Sequence, residues 1–183
     1  MKKTVLLSLA AALLLPALVP VAHAADAIAV GSTAPSFTLP SQDNTPISLA
    51  EYKGKWVVLY FYPKDFTGGC TLEAHNFQRD LEKYKAANAV VLGVSLDTAD
   101  SHKSFCTKES LSFKLLADPS HKVVDEYGVP VKTFDNPTTH EKVTIAVRQT
   151  FLIDPSGKIV KFWNVTDIPN HSSDVLAAIA AGK

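Results

Sequence analysis

The chain has 183 residues, with 18 basic and 18 acidic side chains, so it carries no formal net charge. Neither a basic patch nor aromatic-basic interleaving is present, which argues against nucleic acid as a partner. With two cysteines, no CxxC and no compact histidine cluster, no metal site is expected, and no cofactor. The length suits a leader and one ordinary domain.

Residues 1–24 read as a secretory signal peptide. Lys2 and Lys3 give the positive start, Val5 to Val21 is nearly all apolar, and Ala22-His23-Ala24 supplies the small-x-small cleavage pattern. A membrane anchor is the competing reading, but Pro16, Pro20 and the cleavage-like end suit removal better than spanning. Cleavage after Ala24 leaves one domain, residues 25–183, without methionine and with 16 of the 18 basic residues against 18 acidic ones, a net charge of −2. A periplasmic or secreted protein with no stable membrane association is expected. Disulfides persist in such compartments.

The front of the domain, Val30 to Lys55, is rich in turn residues, and extended pieces such as Ser36–Leu39 predict a small β-hairpin. Trp56–Tyr62 (WVVLYFY) is a continuous β-branched and aromatic run, as expected of a strand buried on both faces. Cys70–Ala87 carries Leu72, Phe77, Leu81 and Tyr84 at near-helical spacing and predicts one amphipathic helix. Ala89–Ser95 predicts a second buried strand. Asp97–Ser110 predicts a helix capped by Asp97 or Thr98. A short strand at Leu115–Ala117 and a short helix at Pro119–Tyr127 follow. Asp154-Pro155-Ser156-Gly157 separates Thr150–Ile153 from Lys158–Trp163 as a hairpin turn, and Ser172–Ala181 closes the chain as a helix. The alternation implies an α/β fold with a mixed central sheet flanked by helices.

One segment carries chemistry: Phe61-Tyr62-Pro63-Lys64-Asp65-Phe66-Thr67-Gly68-Gly69-Cys70-Thr71-Leu72-Glu73. It leaves a buried strand, loops, and enters a helix at Cys70. The first turn of a helix offers unpaired N–H groups and a partial positive charge. A cysteine there is expected to ionise more readily than a free one, and the thiolate is the nucleophile. Thr67 places a hydroxyl one turn before the sulfur. Pro63 stiffens the mouth of the loop, and Gly68 and Gly69 let backbone approach a ligand.

Pro63-x-x-x-Thr67-x-x-Cys70 resembles the active-site motif of the peroxiredoxins, and FYPKDFTGGCTLEA resembles the bacterioferritin comigratory protein (PrxQ) branch. Arg148-Gln149-Thr150-Phe151-Leu152-Ile153-Asp154 is similar to that branch's RxTFLID segment. The resemblance extends over most of residues 30–183. It implies a thioredoxin-like fold and a thiol peroxidase. Cys70 would attack a hydroperoxide and become a sulfenic acid. Thr67, the N–H groups of Gly69 and Cys70, and Arg148 would offer donors to the developing charge. A thioredoxin-like or other dithiol reductant would complete the cycle, and a monomer is expected. From the residues alone, Arg148 reads rather as a surface ion-pair residue. The resemblance implies that Glu73 helps organise Arg148 or the loop; the alternative is an acid complementing the helix N-terminus.

Two positions depart from the branch. Gly68 stands where many relatives have proline, and His75 stands where the branch often places its resolving cysteine. The resemblance therefore assigns resolution to Cys106, 36 positions after Cys70 on the next predicted helix (106 − 70). A buried apolar cysteine and a permanent structural disulfide are the alternatives. Cys106 would stand roughly 10–14 Å along its helix. A disulfide needs Cα atoms within about 7 Å, so both helix regions are expected to unwind when it forms. The histidines read as surface residues. Two rival functions remain: an exported thioredoxin-like metal-binding module using Cys70, His102 and Cys106, and a thiol-disulfide exchange module.

Overall fold

The computed structural model describes residues 28–182, and the expected leader at 1–24 lies outside them. A short antiparallel hairpin comes first, β1 (Thr38–Pro40) against β2 (Pro46–Ser48). The central strand β3 (Trp56–Phe61) pairs in parallel with β4 (Ala89–Ser95), which pairs in parallel with β5 (Lys114–Ala117). On its other edge β3 meets β8 (Gln149–Ile153), and β8 meets β9 (Ile159–Asn164), both antiparallel. The result is a five-stranded mixed sheet in the order β5-β4-β3-β8-β9. This is the thioredoxin-like α/β architecture expected from the sequence. Among the described residues, no helix is long and apolar enough to cross a membrane.

Every residue of β3 is buried, and the strand's period of two sends alternate side chains into two separate apolar layers. Trp56, Val58 and Tyr60 enter the layer covered by α1 (Gly68–Arg79), α2 (Leu81–Ala86), α3 (Ala99–Glu109) and α5 (Ile168–Ala181). Val57, Leu59 and Phe61 enter the layer beneath α4 (Lys122–Glu126) and the β1–β2 hairpin. Fully burying one such side chain stabilises by about 1.5–3 kcal/mol. Tyr60 lies across β4 at Gly93, where a Cβ would stand 2.6 Å from the ring, so glycine there makes room for the tyrosine. Both cysteines belong to the layer that Tyr60 enters.

Two expectations change, and one further hairpin appears. The single helix predicted over Cys70–Ala87 is two helices, broken at Asp80. The buried Asp80 carboxylate accepts from Arg79, from Lys83 at 2.9 Å and from Ser172 Oγ at 2.9 Å, which ties the break to α5. Leu72, assigned to the apolar face, is 44% exposed; Phe77 is buried as expected, and Cys70 and Ala74 join it on that face. The polar stretch 133–145 belongs to a separate hairpin, β6 (Val131–Asp135) against β7 (Lys142–Ala146). All of β6 is exposed, so no apolar alternation marks it in the sequence.

Candidate active site

The loop after β3 begins with buried Tyr62 and half-buried Pro63. Phe66 has φ of 62°, a conformation that non-glycine residues adopt only when surrounding contacts hold them there. Thr67 is the N-cap of α1, and its hydroxyl donates to the Lys64 carbonyl at 2.9 Å rather than capping the helix. Gly68, Gly69 and Cys70 form the first turn. The first bond inside the helix runs from the Thr71 N–H to the Thr67 carbonyl at 2.9 Å, so the N–H groups of the three preceding residues have no acceptor in it. The Cys70 sulfur therefore lies at the positive end of α1, and the residue is 1% exposed.

Arg148, in the link between β7 and β8, reaches this turn. Its Nη2 donates to Cys70 Sγ at 3.1 Å, and its Nη1 donates to Glu73 Oε2. Glu73 is one helical turn beyond Cys70 and 1% exposed, so it holds the guanidinium from the buried side. Burial pushes the Glu73 carboxyl up to about 7, against the opposing pull of Arg148. Burial also works against the Arg148 charge, but Glu73 and Cys70 outweigh it and raise its pKa. A Cβ on Gly69 would stand 3.4 Å from Arg148 Nη2, so that glycine eases the guanidinium's approach. Two buried polar atoms in this layer lack a partner among the described residues, Glu73 Oε1 and Tyr60 Oη.

Cys106 lies in α3, 7% exposed and unbonded to Cys70. Burial pushes its thiol up to about 12. Its helix neighbour Phe105 meets the ring of Phe66 edge-on at 5.1 Å. The structure thus gathers Cys70, Arg148 and Glu73 into one contact set. Thr67, through its hydroxyl, and Cys106, as a free thiol on another helix, stand outside it.

The sequence reading placed all the histidines at the surface, and for two of them the structure corrects it. His102 is fully buried and His171 is 3% exposed. His102 Nδ1 pairs with Asp65 Oδ2 at 2.8 Å, and the Tyr62 hydroxyl donates to Asp65 Oδ1 at 2.7 Å. The available signal was spacing. His102, Phe105 and Cys106 share one helix face, so a histidine there goes inward with them. His171 Nε2 lies 2.8 Å from Thr150 Oγ1 on the opposite side of the site.

Comparison with known proteins gives consistent relatives. Residues 30–162 match the AhpC/TSA family. The chain is 45% identical over 137 residues to "Peroxiredoxin Q, chloroplastic" of Triticum aestivum, covering 75% of this chain and 59% of that protein. It thus spans less than two thirds of this plant relative. It is 38% identical over 154 residues to "Peroxiredoxin Bcp" of Bacillus subtilis, covering 83% of this chain and 95% of that one. Among solved structures, a cysteine-to-serine mutant of Xylella fastidiosa PrxQ superposes with a TM-score of 0.74 at 34% identity, over 85% of this chain and 97% of its own.

Proposed function

The chain belongs to the AhpC/TSA family, alongside peroxiredoxins Q and Bcp, and from that membership we propose a thiol peroxidase in which Cys70 reduces hydroperoxides and Cys106 resolves the product. The observation that carries this reading is the Arg148 guanidinium, which bridges the Cys70 sulfur and the buried Glu73 carboxyl. A cation donating N–H to sulfur is complementary to a thiolate. The same fork suits the charge that spreads over sulfur and two oxygens as the O–O bond breaks.

In the first step the Cys70 thiolate attacks the terminal oxygen of ROOH. The S–O bond forms, the O–O bond breaks, and RO⁻ leaves to be protonated to ROH. Cys70 is then a sulfenic acid. Arg148 and the free N–H groups of the first helical turn are the donors for the departing charge, while Glu73 fixes the guanidinium. Pro63 shields the sulfur at the loop's mouth. The Thr67 hydroxyl, turned toward Lys64, would have to rotate to serve as a further donor. In the second step Cys106 sulfur attacks Cys70 sulfur, a disulfide forms and water leaves. A dithiol reductant of the thioredoxin type then returns both thiols by exchange. Residues 1–24 support export, cleavage after Ala24 and a working domain of residues 25–183 in the periplasm or outside the cell. The domain acts as a monomer.

The test is peroxide consumption with a dithiol reductant. Cys70→Ser should show no turnover. Cys106→Ser should consume one equivalent and stall unless a small external thiol is added. Full turnover by Cys70→Ser would overturn the assignment of the nucleophile. Unimpaired cycling of Cys106→Ser without external thiol would overturn the assignment of the resolving residue.

A further inference from the structure

Between Pro63 and Cys70, three consecutive residues are fastened to α3 or to Asp97 just ahead of it. The Lys64 ammonium donates to Asp97 Oδ1 at 2.9 Å. The Asp65 backbone N–H donates to Asp97 Oδ2 at 2.9 Å, just ahead of the helix. The Asp65 carboxylate, on a residue 3% exposed, accepts from Ser101 Oγ at 2.7 Å and pairs with His102 Nδ1 at 2.8 Å. The Phe66 ring packs on Phe105, with Lys108 Nζ 5.5 Å from its centroid. The far side of His102 is also occupied, since its Nε2 lies 3.2 Å from the Leu116 carbonyl. Both ring nitrogens therefore face oxygen acceptors in a dry interior. Separating the pair takes from the buried Asp65 carboxylate the partners that α3 supplies, leaving it the Tyr62 hydroxyl, and takes the carboxylate from His102 Nδ1, which is costly.

None of these groups touches the reacting sulfur, so the peroxidase chemistry does not explain them. What they do hold is the helix that carries Cys106, four residues beyond His102. In place, that thiol is buried and its ionisation is pushed up to about 12, so it offers almost no thiolate near neutrality. Cys106 can attack only after α3 loosens and admits water. The loosening must break the contacts just described.

We propose that the buried Asp65–His102 pair, with Ser101, is a latch that positions α3 and sets the rate at which Cys106 reaches oxidised Cys70. The latch rests on the resolving role assigned to Cys106 above. Its consequence is a competition at the Cys70 sulfenic acid. Attack by Cys106 gives the disulfide and water. Attack on a second hydroperoxide molecule gives the sulfinic acid and ROH. A tight latch favours the second outcome at high peroxide, and a weak one favours the first.

The experiment follows the full chain after mixing with hydrogen peroxide, using acid quench, thiol blocking and intact mass to count sulfenic, disulfide and sulfinic forms. His102→Gln, which keeps a donor for Leu116 but loses the one to Asp65, should speed disulfide formation about tenfold, the value of one charge-assisted bond. It should lower the sulfinic fraction at high peroxide and leave sulfenic acid formation within about twofold. Ser101→Ala, which removes a single neutral donor and is the safer variant for folding, should act in the same direction by about fivefold. Unchanged disulfide rates in both variants would overturn the latch alone. Equal slowing of both steps would also overturn it, by reducing the pair to general support. A wild-type protein that forms no Cys70–Cys106 disulfide would overturn the resolving role and the latch together.

Discussion

Cys70 and Cys106 enter the same apolar layer and are nearly equally withdrawn from water, at 1% and 7% exposure, yet their surroundings differ in kind. Beside the Cys70 sulfur stand a guanidinium at 3.1 Å and the unpaired N–H groups of a helix end. Beside Cys106 the first influence is burial itself, and the acidic Asp65 and Asp43 push in the same direction. Burial alone silences a thiol, because it penalises the charged form. At Cys70 the buried sulfur instead has a guanidinium N–H donating to it, a partner that Cys106 lacks among the described residues. On the proposed mechanism the first cysteine reacts in the closed fold, and the second only once its helix opens.

The variant that would most directly break this contrast is Arg148→Ala. It should slow the reaction of Cys70 with hydroperoxide by about 10²–10³-fold, the usual loss for one preorganised donor at a developing charge. Stopped-flow oxidation of the reduced protein reads it. Arg148→Lys should recover only part of the loss, because a single ammonium cannot serve sulfur and Glu73 as a fork does. Alkylation of Cys106 in mild denaturant should be the same in all three proteins. If Arg148→Ala oxidises at the wild-type rate, the cation is not what separates the two thiols.

Local pattern made one half of this contrast legible in the sequence. Trp56–Phe61 announces a strand buried on both faces, and a cysteine after Gly68-Gly69 announces a helix start. Arg148 was different. It touches Cys70 from 78 positions away, and no periodicity reports such a contact; only the family resemblance suggested it. The Asp65–His102 pair spans 37 positions and was missed for the same reason. The β6–β7 hairpin escaped notice because its β6 strand buries nothing, so backbone pairing holds it with little help from apolar side chains.

Titration should sharpen the contrast, because two shifted groups lie on the Cys70 side. Burial pushes His171 down to about 4 from 6.5, while its ring packs on Phe77 of α1 at 5.8 Å. Between about pH 6.5 and 4 the unfolded chain takes up a proton that the fold refuses, so stability falls as pH falls through that window. The loss approaches about 3 kcal/mol at the lower end. Glu73 acts oppositely. With its carboxyl raised to about 7 from 4.5, the fold keeps a proton the unfolded chain gives up, and stability rises as pH falls from 7 toward 4.5. The two largely offset each other near pH 5.5. Denaturant melts from pH 7 to 5 should therefore show His171→Gln gaining stability toward acid relative to wild type and Glu73→Gln losing it. Superimposable difference profiles would mean that neither group is shifted.

The smallest effect concerns the Tyr60 hydroxyl, in the apolar layer that holds both cysteines. Tyr60 Oη is buried and has no hydrogen-bond partner among the described residues. Burial raises the phenol's pKa well above its ordinary value, followed by Glu73, Cys106 and Cys70 in turn. An unsatisfied buried hydroxyl costs free energy, and removing it without changing shape should return part of that cost. Tyr60→Phe keeps the ring over Gly93 and its contact with Phe77 at 4.8 Å. The reduced protein should therefore gain about 1 kcal/mol in chemical denaturation. A loss of similar size would be more informative. It would mean that the hydroxyl donates to a sulfur, and if alkylation in mild denaturant identified that sulfur as Cys106, the second thiol would not be bare. The difference between the two cysteines would then rest on Arg148 and the helix end alone.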